Sequence, residues 1–158
     1  MDLNSINPAL LIASILISAT PILLAAIGEM VVEKAGVLNL GVEGMMITGA
    51  VTGFAVAVTL DSPALGFCVA ALAGAALASV FGLLTQTLLA NQVATGLGLT
   101  LAGLGLSSLI GKPYEGMKSP TLGKLDLGPL SDLPFLGTAL FRHDAMVYLS
   151  LALVVAVW

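Results

Sequence analysis

Fifty consecutive residues, Ser62 to Gly111, contain no charged side chain, and this run constrains the fold more than any other feature. A helix needs roughly 20 apolar residues to cross about 30 Å of bilayer hydrocarbon at about 1.5 Å rise per residue. The run is therefore long enough for two spans and the connection between them. We predict that this chain lies in a membrane.

The composition supports this prediction. Hydrophobic residues make up 58% of the chain and charged residues 9%, against about 45–50% and 25% in ordinary globular domains. A water-soluble fold of 158 residues cannot bury so much apolar surface, so lipid is expected to cover part of it. The net charge of −4 forms no basic patch, which argues against nucleic-acid binding.

The uncharged runs predict five membrane segments, at about 7–29, 44–60, 63–89, 93–111 and 145–158. Barrel strands alternate apolar and polar residues, and the alanine- and leucine-rich run 70–78 shows no such alternation. We therefore expect an all-α, polytopic transmembrane helix bundle. The last segment reaches Trp158 after only fourteen apolar residues, so we expect a fragment of a longer protein, truncated in its fifth helix.

Small residues spaced by four mark two expected helix-packing faces. One comprises Gly49 and Gly53, and the other comprises Gly74, Ala78 and Gly82. Residues four apart lie on the same helix face, and small side chains there let a neighbouring helix approach closely. The pattern predicts packing among several helices and does not indicate a substrate.

A long hydrophilic loop is predicted over residues 112–144. It holds four of the five basic residues, Lys112, Lys118, Lys124 and Arg142. The positive-inside rule would place such a loop in the cytoplasm. On this charge count alone, the loop is predicted to be cytoplasmic.

The connection between the first two segments carries three acids, Glu29, Glu33 and Glu43, within a glycine-rich stretch. Ionisable groups beside a membrane span are costly unless they reach water, a partner or a helix end. Two interpretations of Glu43 remain open. Its carboxylate caps the positive end of the second span, or the stretch is a broken helix that lines a substrate path or gate.

The sequence shows no pattern typical of catalysis. A glycine loop ending in Gly-Lys-Ser/Thr is absent, so we do not expect this chain to bind ATP. It also has no metal-ligand spacing and no nucleophile–base pair. The single histidine, His143, is predicted to be an interfacial polar residue. We therefore expect no cofactor and no metal, and a role in passage rather than in chemistry.

The stretches 20–46, 89–97 and 104–108 resemble bacterial ABC-importer permeases for branched-chain amino acids, ribose and other simple sugars, and most closely the nucleoside and simple-sugar permeases. The block Gly36-Val-Leu-Asn-Leu-Gly-Val-Glu-Gly-Met-Met46 is the most specific part of this resemblance. The resemblance implies the N-terminal part, residues 1–158, of a single permease domain about twice as long. It also places the 112–142 loop outside and residues 29–43 and 91–92 inside, and we adopt this orientation over the one from the charge count.

The resemblance further implies partners: cytoplasmic ATP-binding subunits, a second permease subunit, an extracellular solute-binding protein and the lipid of a bacterial inner membrane. A permease needs polar side chains within its bundle to replace water around a sugar or nucleoside. The candidates for a substrate path or gate are Thr20, Asn39, Glu43, Thr48, Gln86, Asn91, Gln92 and Thr95.

Two other classes stay open at this point. A membrane scaffold or assembly subunit would need no kinked first helix at Thr20-Pro21 and no glycine-rich break. An ion-driven secondary transporter would favour a charged residue deep within a span, and the second to fourth segments contain none. Both observations favour the importer permease.

Overall fold

The computed structural model describes residues 7–123, 125, 140–141 and 143–157. Within these residues the chain forms five α-helices, which are α1 Pro8–Lys34, α2 Val42–Leu60, α3 Pro63–Gly82, α4 Gln92–Gly111 and α5 Ala145–Val157. A π-helical turn, Leu83–Thr87, continues α3, and a 3₁₀ turn, Lys112–Tyr114, continues α4. The predicted all-α fold class is confirmed.

The first four helices are long and apolar enough to cross a membrane, and α5 is shorter. The predicted segments agree with the helices within a few residues, except that α1 continues to Lys34. Charged residues end the apolar part of α1 but do not end the helix. Lys34 in the last turn complements the negative end of the helix dipole.

Parts of the predicted features lie outside the described residues. These are residue 124, residues 126–139 and residue 142 of the predicted 112–144 loop, which include the bases Lys124 and Arg142, and the predicted point of truncation at Trp158.

The described chain divides into two compact units. The first unit comprises residues 1–28 and 122–158. In it, α1 is helical through Pro21, and the Thr20 hydroxyl donates a hydrogen bond to the Leu16 carbonyl oxygen at 2.8 Å. This bond within one helix satisfies the hydroxyl in the low-dielectric surroundings of a membrane span.

The beginning of α5 is organised by contacts with neighbouring backbone. The Tyr148 hydroxyl donates to the Leu140 carbonyl oxygen at 3.1 Å, and the Leu125 N–H donates to the His143 carbonyl oxygen at 3.1 Å. His143 was predicted to be an interfacial polar residue, and its side chain is buried directly before α5. Its ring meets the Tyr148 ring edge-on, at 6.4 Å between centroids. This histidine belongs to the packing of the first unit.

The second unit, Glu29–Thr121, contains α2, α3 and α4. A tight turn joins α2 to α3, in which Asp61 adopts the left-handed conformation at φ 46°. The Ser62 hydroxyl oxygen caps α3 by accepting the Leu65 N–H, and Pro63 occupies the first helical position. Proline at that position and serine before it are both favoured at helix starts, so the turn is encoded locally.

The helices α2 and α3 pack antiparallel through small residues. A Cβ added to Gly49 would lie 2.9 Å from the Ala70 carbonyl oxygen, and one added to Gly53 would lie 2.7 Å from the carbonyl oxygen of Gly66. Such separations are shorter than real Cβ contacts, so only glycine permits this approach of the two backbones. In membranes this close packing replaces the hydrophobic driving force as a source of helix association.

The second predicted packing face, on α3, makes looser contacts. The α3 residues that meet α2 are Gly66 and Ala70, whereas a Cβ on Gly74 would meet only the Met45 carbonyl oxygen at 3.8 Å. A Cβ on Gly82 would have no heavy atom within 4 Å, and Ala78 is exposed. The close approach is therefore centred about three turns earlier on α3 than the spacing suggested, because α2 crosses α3 near the N-terminal end of α3.

The helix α4 runs parallel to α2 and contacts its other side. A Cβ on Gly44 would lie 2.5 Å from the Leu99 carbonyl oxygen, and a Cβ on Gly103 would lie 2.5 Å from the Gly44 carbonyl oxygen. The two helices thus touch backbone to backbone. α2 lies between α3 and α4 and contacts both extensively, while α3 and α4 contact each other little.

Candidate functional site

The connection between α1 and α2, residues 35–41, has a built and specific conformation. Gly36 lies in the left-handed region at φ +81°, and α1 closes with bonds from the Gly36 N–H to the Glu33 carbonyl oxygen and from the Val37 N–H to the Val32 carbonyl oxygen. This is the Schellman arrangement, which favours glycine at its left-handed residue. The helix therefore stops at a defined residue and turns the chain toward α4.

Asn39 holds the middle of this connection together. Its side chain is buried, at 7% exposure, and its Oδ1 accepts the Gly41 N–H at 2.9 Å. The Asn39 N–H donates to Glu29 Oε1 at 3.1 Å, and its Nδ2 contacts Met45 Sδ at 3.6 Å. Because Glu29 lies on the last turns of α1 and Met45 on the first turns of α2, Asn39 joins both helices to the connection.

Two side chains of α4 fix the connection from the other side. Gln92 Oε1 accepts the Leu38 N–H at 2.8 Å, and the Thr100 hydroxyl donates to the Leu40 carbonyl oxygen at 3.1 Å. Backbone groups that a helix would satisfy internally are satisfied here by side chains. The non-helical segment is thus a fixed element of the unit.

The backbone of the connection also touches α4 directly. A Cβ added to Gly96 would lie 2.8 Å from the Gly41 nitrogen and 2.9 Å from the Leu40 nitrogen. Any larger residue at position 96 would push the connection away from Gln92 and Thr100. The glycine at position 96 is therefore a structural requirement of the same contact.

Glu43 stands beside this assembly in the first turn of α2. Its side chain is exposed, and it makes no hydrogen bond or ion pair with the described residues. The start of α2 at Gly41 receives no side-chain cap, so the proposed capping hydrogen bond of Glu43 is not present. Its charge still lies near the positive end of the helix dipole, and its oxygens are open to a partner.

The remaining polar candidates are gathered where α3 leads into α4. Asn91 caps α4, because its Oδ1 accepts the Ala94 N–H at 3.0 Å. Gln86 lies in the π-helical turn, exposed, and its Nε2 contacts the Thr85 hydroxyl at 3.4 Å. Thr95 lies in the first turn of α4, half-buried, and its N–H donates to the Asn91 carbonyl oxygen at 2.9 Å.

The structure thus brings Asn39, Gln92 and the neighbourhood of Glu43 together, and it places Asn91 and Thr95 at the same end of α4. Thr48 lies one turn farther along α2, buried, and Thr20 belongs to the first unit. Sequence reasoning gave Glu29 and Gly96 no role in this site. The resemblance block around Gly36 pointed to the segment, but nothing in the sequence paired it with α4.

The described residues include no group of three or more histidine, cysteine, aspartate or glutamate side chains that could hold a metal ion. The arrangement offers amide, hydroxyl and carboxylate groups that can exchange hydrogen bonds with a polar solute.

Residues 11–158 match the family described as the branched-chain amino acid transport system, permease component. The chain belongs to this family. This family match confirms the resemblance to permeases found in the sequence. Within the described residues, four helices are long and apolar enough to span a bilayer, and the chain is a multi-pass membrane protein.

The names of individual relatives describe ABC transporter permeases for glucose, guanosine or nucleosides. TsgC13 of Haloferax volcanii, whose name proposes a glucose ABC transporter permease, is 43% identical over 89% of this chain and 44% of its own length. The guanosine ABC transporter permease protein NupQ of Bacillus subtilis is 28% identical over 84% of this chain and 45% of its own length. The nucleoside ABC transporter permease protein NupC of Lactococcus lactis is 26% identical over 99% of this chain and 53% of its own length.

The chain thus spans about half the length of the curated relatives that it matches. No solved structure matches the chain significantly.

Proposed function

We propose that this chain is the N-terminal part of a permease subunit of an ATP-driven importer, and that it forms part of the path for a hydroxylated solute, a simple sugar or a nucleoside. The family match over residues 11–158 carries this proposal. The names of the relatives support the solute class, because glucose, guanosine and nucleosides all present several hydroxyl groups.

The geometry of the second unit supports a division of roles among the polar residues. The side-chain oxygens of Asn39, Asn91 and Gln92 accept hydrogen bonds from backbone N–H groups. In this proposal these residues therefore form the wall of the path. Glu43 keeps both carboxylate oxygens open next to that wall. A carboxylate accepts hydrogen bonds from solute hydroxyls strongly, since such bonds are charge-assisted.

The proposed partners follow from the same role. ATP hydrolysis would occur on separate cytoplasmic subunits, a second permease subunit would complete the path, and an extracellular binding protein would deliver the solute. The proposed location is the bacterial inner membrane, with residues 29–43 and 91–92 on the cytoplasmic side and the 112–142 loop outside. The hydrogen bond from the Leu38 N–H to Gln92 Oε1 supports placing residues 29–43 and residues 91–92 on the same side of the membrane.

The test is uptake by the full-length permease, purified with its ATPase and partner permease and reconstituted in vesicles with its binding protein. We expect accumulation of labelled glucose or guanosine that requires ATP on the ATPase side. Uptake driven by an ion gradient without ATP would identify a secondary transporter. A stable complex that transports neither solute under any condition would favour the scaffold.

A further inference from the structure

The helix α4 carries glycines on two opposite faces. Gly96 and Gly103 form the first face, and a Cβ added to either would lie less than 3 Å from backbone atoms of the connection or of α2. Gly98 and Gly105 repeat the same spacing two residues later, and a Cβ added to either meets no heavy atom within 4 Å. At 3.6 residues per turn, two positions rotate the helix by about 200°. The second pair therefore lies on the side of α4 that points away from α2.

Two alanines extend this second face. Residues spaced by four share one side of a helix, and the exposed small residues on this side are Ala94, Gly98, Ala102 and Gly105. We call these four residues the outer face of α4. Leu101, which is 70% exposed, stands beside them. The outer face is thus a strip of small residues next to a large apolar side chain.

The same residue types at the same spacing already join two helices of this unit. On α3, Gly66 and Ala70 lie four apart, and a Cβ added to Gly53 of α2 would lie 2.7 Å from the Gly66 carbonyl oxygen and from the Ala70 Cβ. Gly98 and Ala102 repeat this glycine–alanine pair on α4. Such pairs let two helix backbones approach closely in a membrane. At the two glycines of the outer face, no described residue makes this approach.

Contact with lipid alone does not account for the outer face. The exposed side chains of α1 include Leu10, Ile15 and Ile22, which are 57%, 56% and 67% exposed. Large apolar side chains of this kind suit contact with acyl chains. Glycine offers no side chain to lipid and is the poorest helix former after proline. Four small residues on one side of α4 therefore indicate a neighbouring helix.

The length of the relatives indicates where that helix comes from. The chain covers about half of each matched relative, so each relative extends for about as many residues again. The glycines of α2 are already used by α3 and α4, whereas those of the outer face are not. A segment of the same polypeptide is tethered to α4, so it meets α4 at a higher effective concentration than a separate subunit does.

We propose that the outer face of α4 docks a transmembrane helix from the half of the permease polypeptide that lies outside this chain. The inference rests on the proposed function in one respect, that this chain is the N-terminal part of a longer permease. α4 then lies between α2 and the docked helix. Through Gln92 and Thr100, which bind residues 38 and 40, it links the polar connection to the other half. Because alanines already lie on the outer face, the docked helix leaves room for a methyl group but not for leucine.

The first test identifies the neighbour by photo-cross-linking in the full-length permease, reconstituted in lipid vesicles. Gly98→Cys, in a protein whose native cysteines are replaced by serine, carries a thiol-linked diazirine probe. Leu72→Cys is the control, because Leu72 is 69% exposed on α3. Mass spectrometry of the digested protein locates the adducts, and a denaturing gel shows whether each adduct lies within one polypeptide or joins two.

We expect the probe at position 98 to mark a helix of the other half within a single polypeptide, about fivefold or more above the probe at position 72, which should mark lipid. Three results at position 98 would overturn the inference. They are adducts with lipid or water only, adducts with a second permease subunit, and adducts with α1 or α5 of this chain.

The second test measures the room on the outer face. Gly98→Leu should lower the unfolding temperature of the solubilised full-length permease by about 3–10 °C, as expected for overpacking, and Gly98→Ala should keep it. Gly82→Leu is the matched control, because a Cβ on Gly82 also meets no heavy atom within 4 Å. A Gly98→Leu protein that fails to assemble while Gly82→Leu assembles also supports docking. Equal stability of the two leucine variants would contradict it.

Neither test depends on transport. A wild-type permease that moves no solute in the uptake assay would overturn the proposed importer. Its cross-links from position 98 would still decide whether a helix docks on α4.

Discussion

Gln92 Oε1 accepts the backbone N–H of Leu38 at 2.8 Å across 54 positions of sequence. This bond joins the start of α4 to the connection between α1 and α2. Both groups belong to the resemblance motifs of the sequence, which lie on separate stretches of the chain. The bond explains why two distant motifs act as one structural element.

Replacing Gln92 with leucine should loosen the connection. The change removes the acceptor of the exposed Leu38 N–H, and the net loss of one such hydrogen bond is about 0.5–1.5 kcal/mol. Hydrogen exchange of the amides of residues 37–41 should accelerate by about two- to tenfold. Gln86→Leu is the matched control, because Gln86 contacts only its neighbour Thr85, and it should leave that exchange unchanged. Equal protection in both variants would refute the role of Gln92.

Gly103→Ala should disrupt the contact of α2 with α4. The added methyl would lie 2.5 Å from the Gly44 carbonyl oxygen, and overpacking of this kind costs about 1–3 kcal/mol. Thermal unfolding of the detergent-solubilised permease should occur at a lower temperature.

The control for this change lies on the same helix. A Cβ on Gly105 has no heavy atom within 4 Å, and alanine favours a helix by about 1 kcal/mol over glycine. Gly105→Ala should therefore keep or raise the unfolding temperature. If Gly103→Ala unfolds no earlier than Gly105→Ala, the backbone contact does not contribute to stability.

Replacing Glu43 with alanine should impair transport more than assembly. The side chain is exposed and bonded to none of the described residues, so its removal should change stability by less than about 1 kcal/mol, the size of a helix-dipole contribution. ATP-dependent uptake should fall at least tenfold in reconstituted vesicles. Glu33→Ala removes another exposed acid of the same region and should leave uptake within twofold. Unchanged uptake in Glu43→Ala would remove it from the path.

Asn91→Ala should destabilise the start of α4. The change removes the oxygen that accepts the Ala94 N–H, and the loss of such a cap costs about 1 kcal/mol. Asn91→Asp keeps an acceptor and should restore the unfolding temperature. An alanine variant as stable as the aspartate variant would show that the cap does not contribute to the stability of the protein.

The sequence predicted the helices well because bilayer thickness sets a length that uncharged runs reveal. The spans from 44 to 111 agree with α2, α3 and α4 within a few residues, whereas α1 extends past Glu29, since charge marks the membrane edge and not the helix end. Spacing alone suggested glycine faces on α2 and α3. It did not show that Gly44 meets α4 or that Gly96 meets the connection between α1 and α2, because both depend on contacts between residues more than fifty positions apart.

The candidate site was only partly predictable for the same reason. Asn39, Gln92 and Glu43 were selected as polar residues in apolar surroundings, and the structure shows that the first two support backbone while the third is open. Glu29 was not selected, since its bond to the Asn39 N–H arises from the turn at Gly36. Thr48 Oγ1 has no hydrogen-bond partner among the residues that the structure describes, and no local sequence pattern encodes that.

The glycine contacts among α2, α3 and α4 all involve residues between Gly41 and Gly111. A nascent polypeptide that has emerged from the ribosome as far as Thr121 therefore already carries both sides of every one of these contacts. The three helices can associate in the bilayer during translation, before later segments leave the translocon. Biogenesis of the permease would then begin from a preassembled core onto which the rest is added.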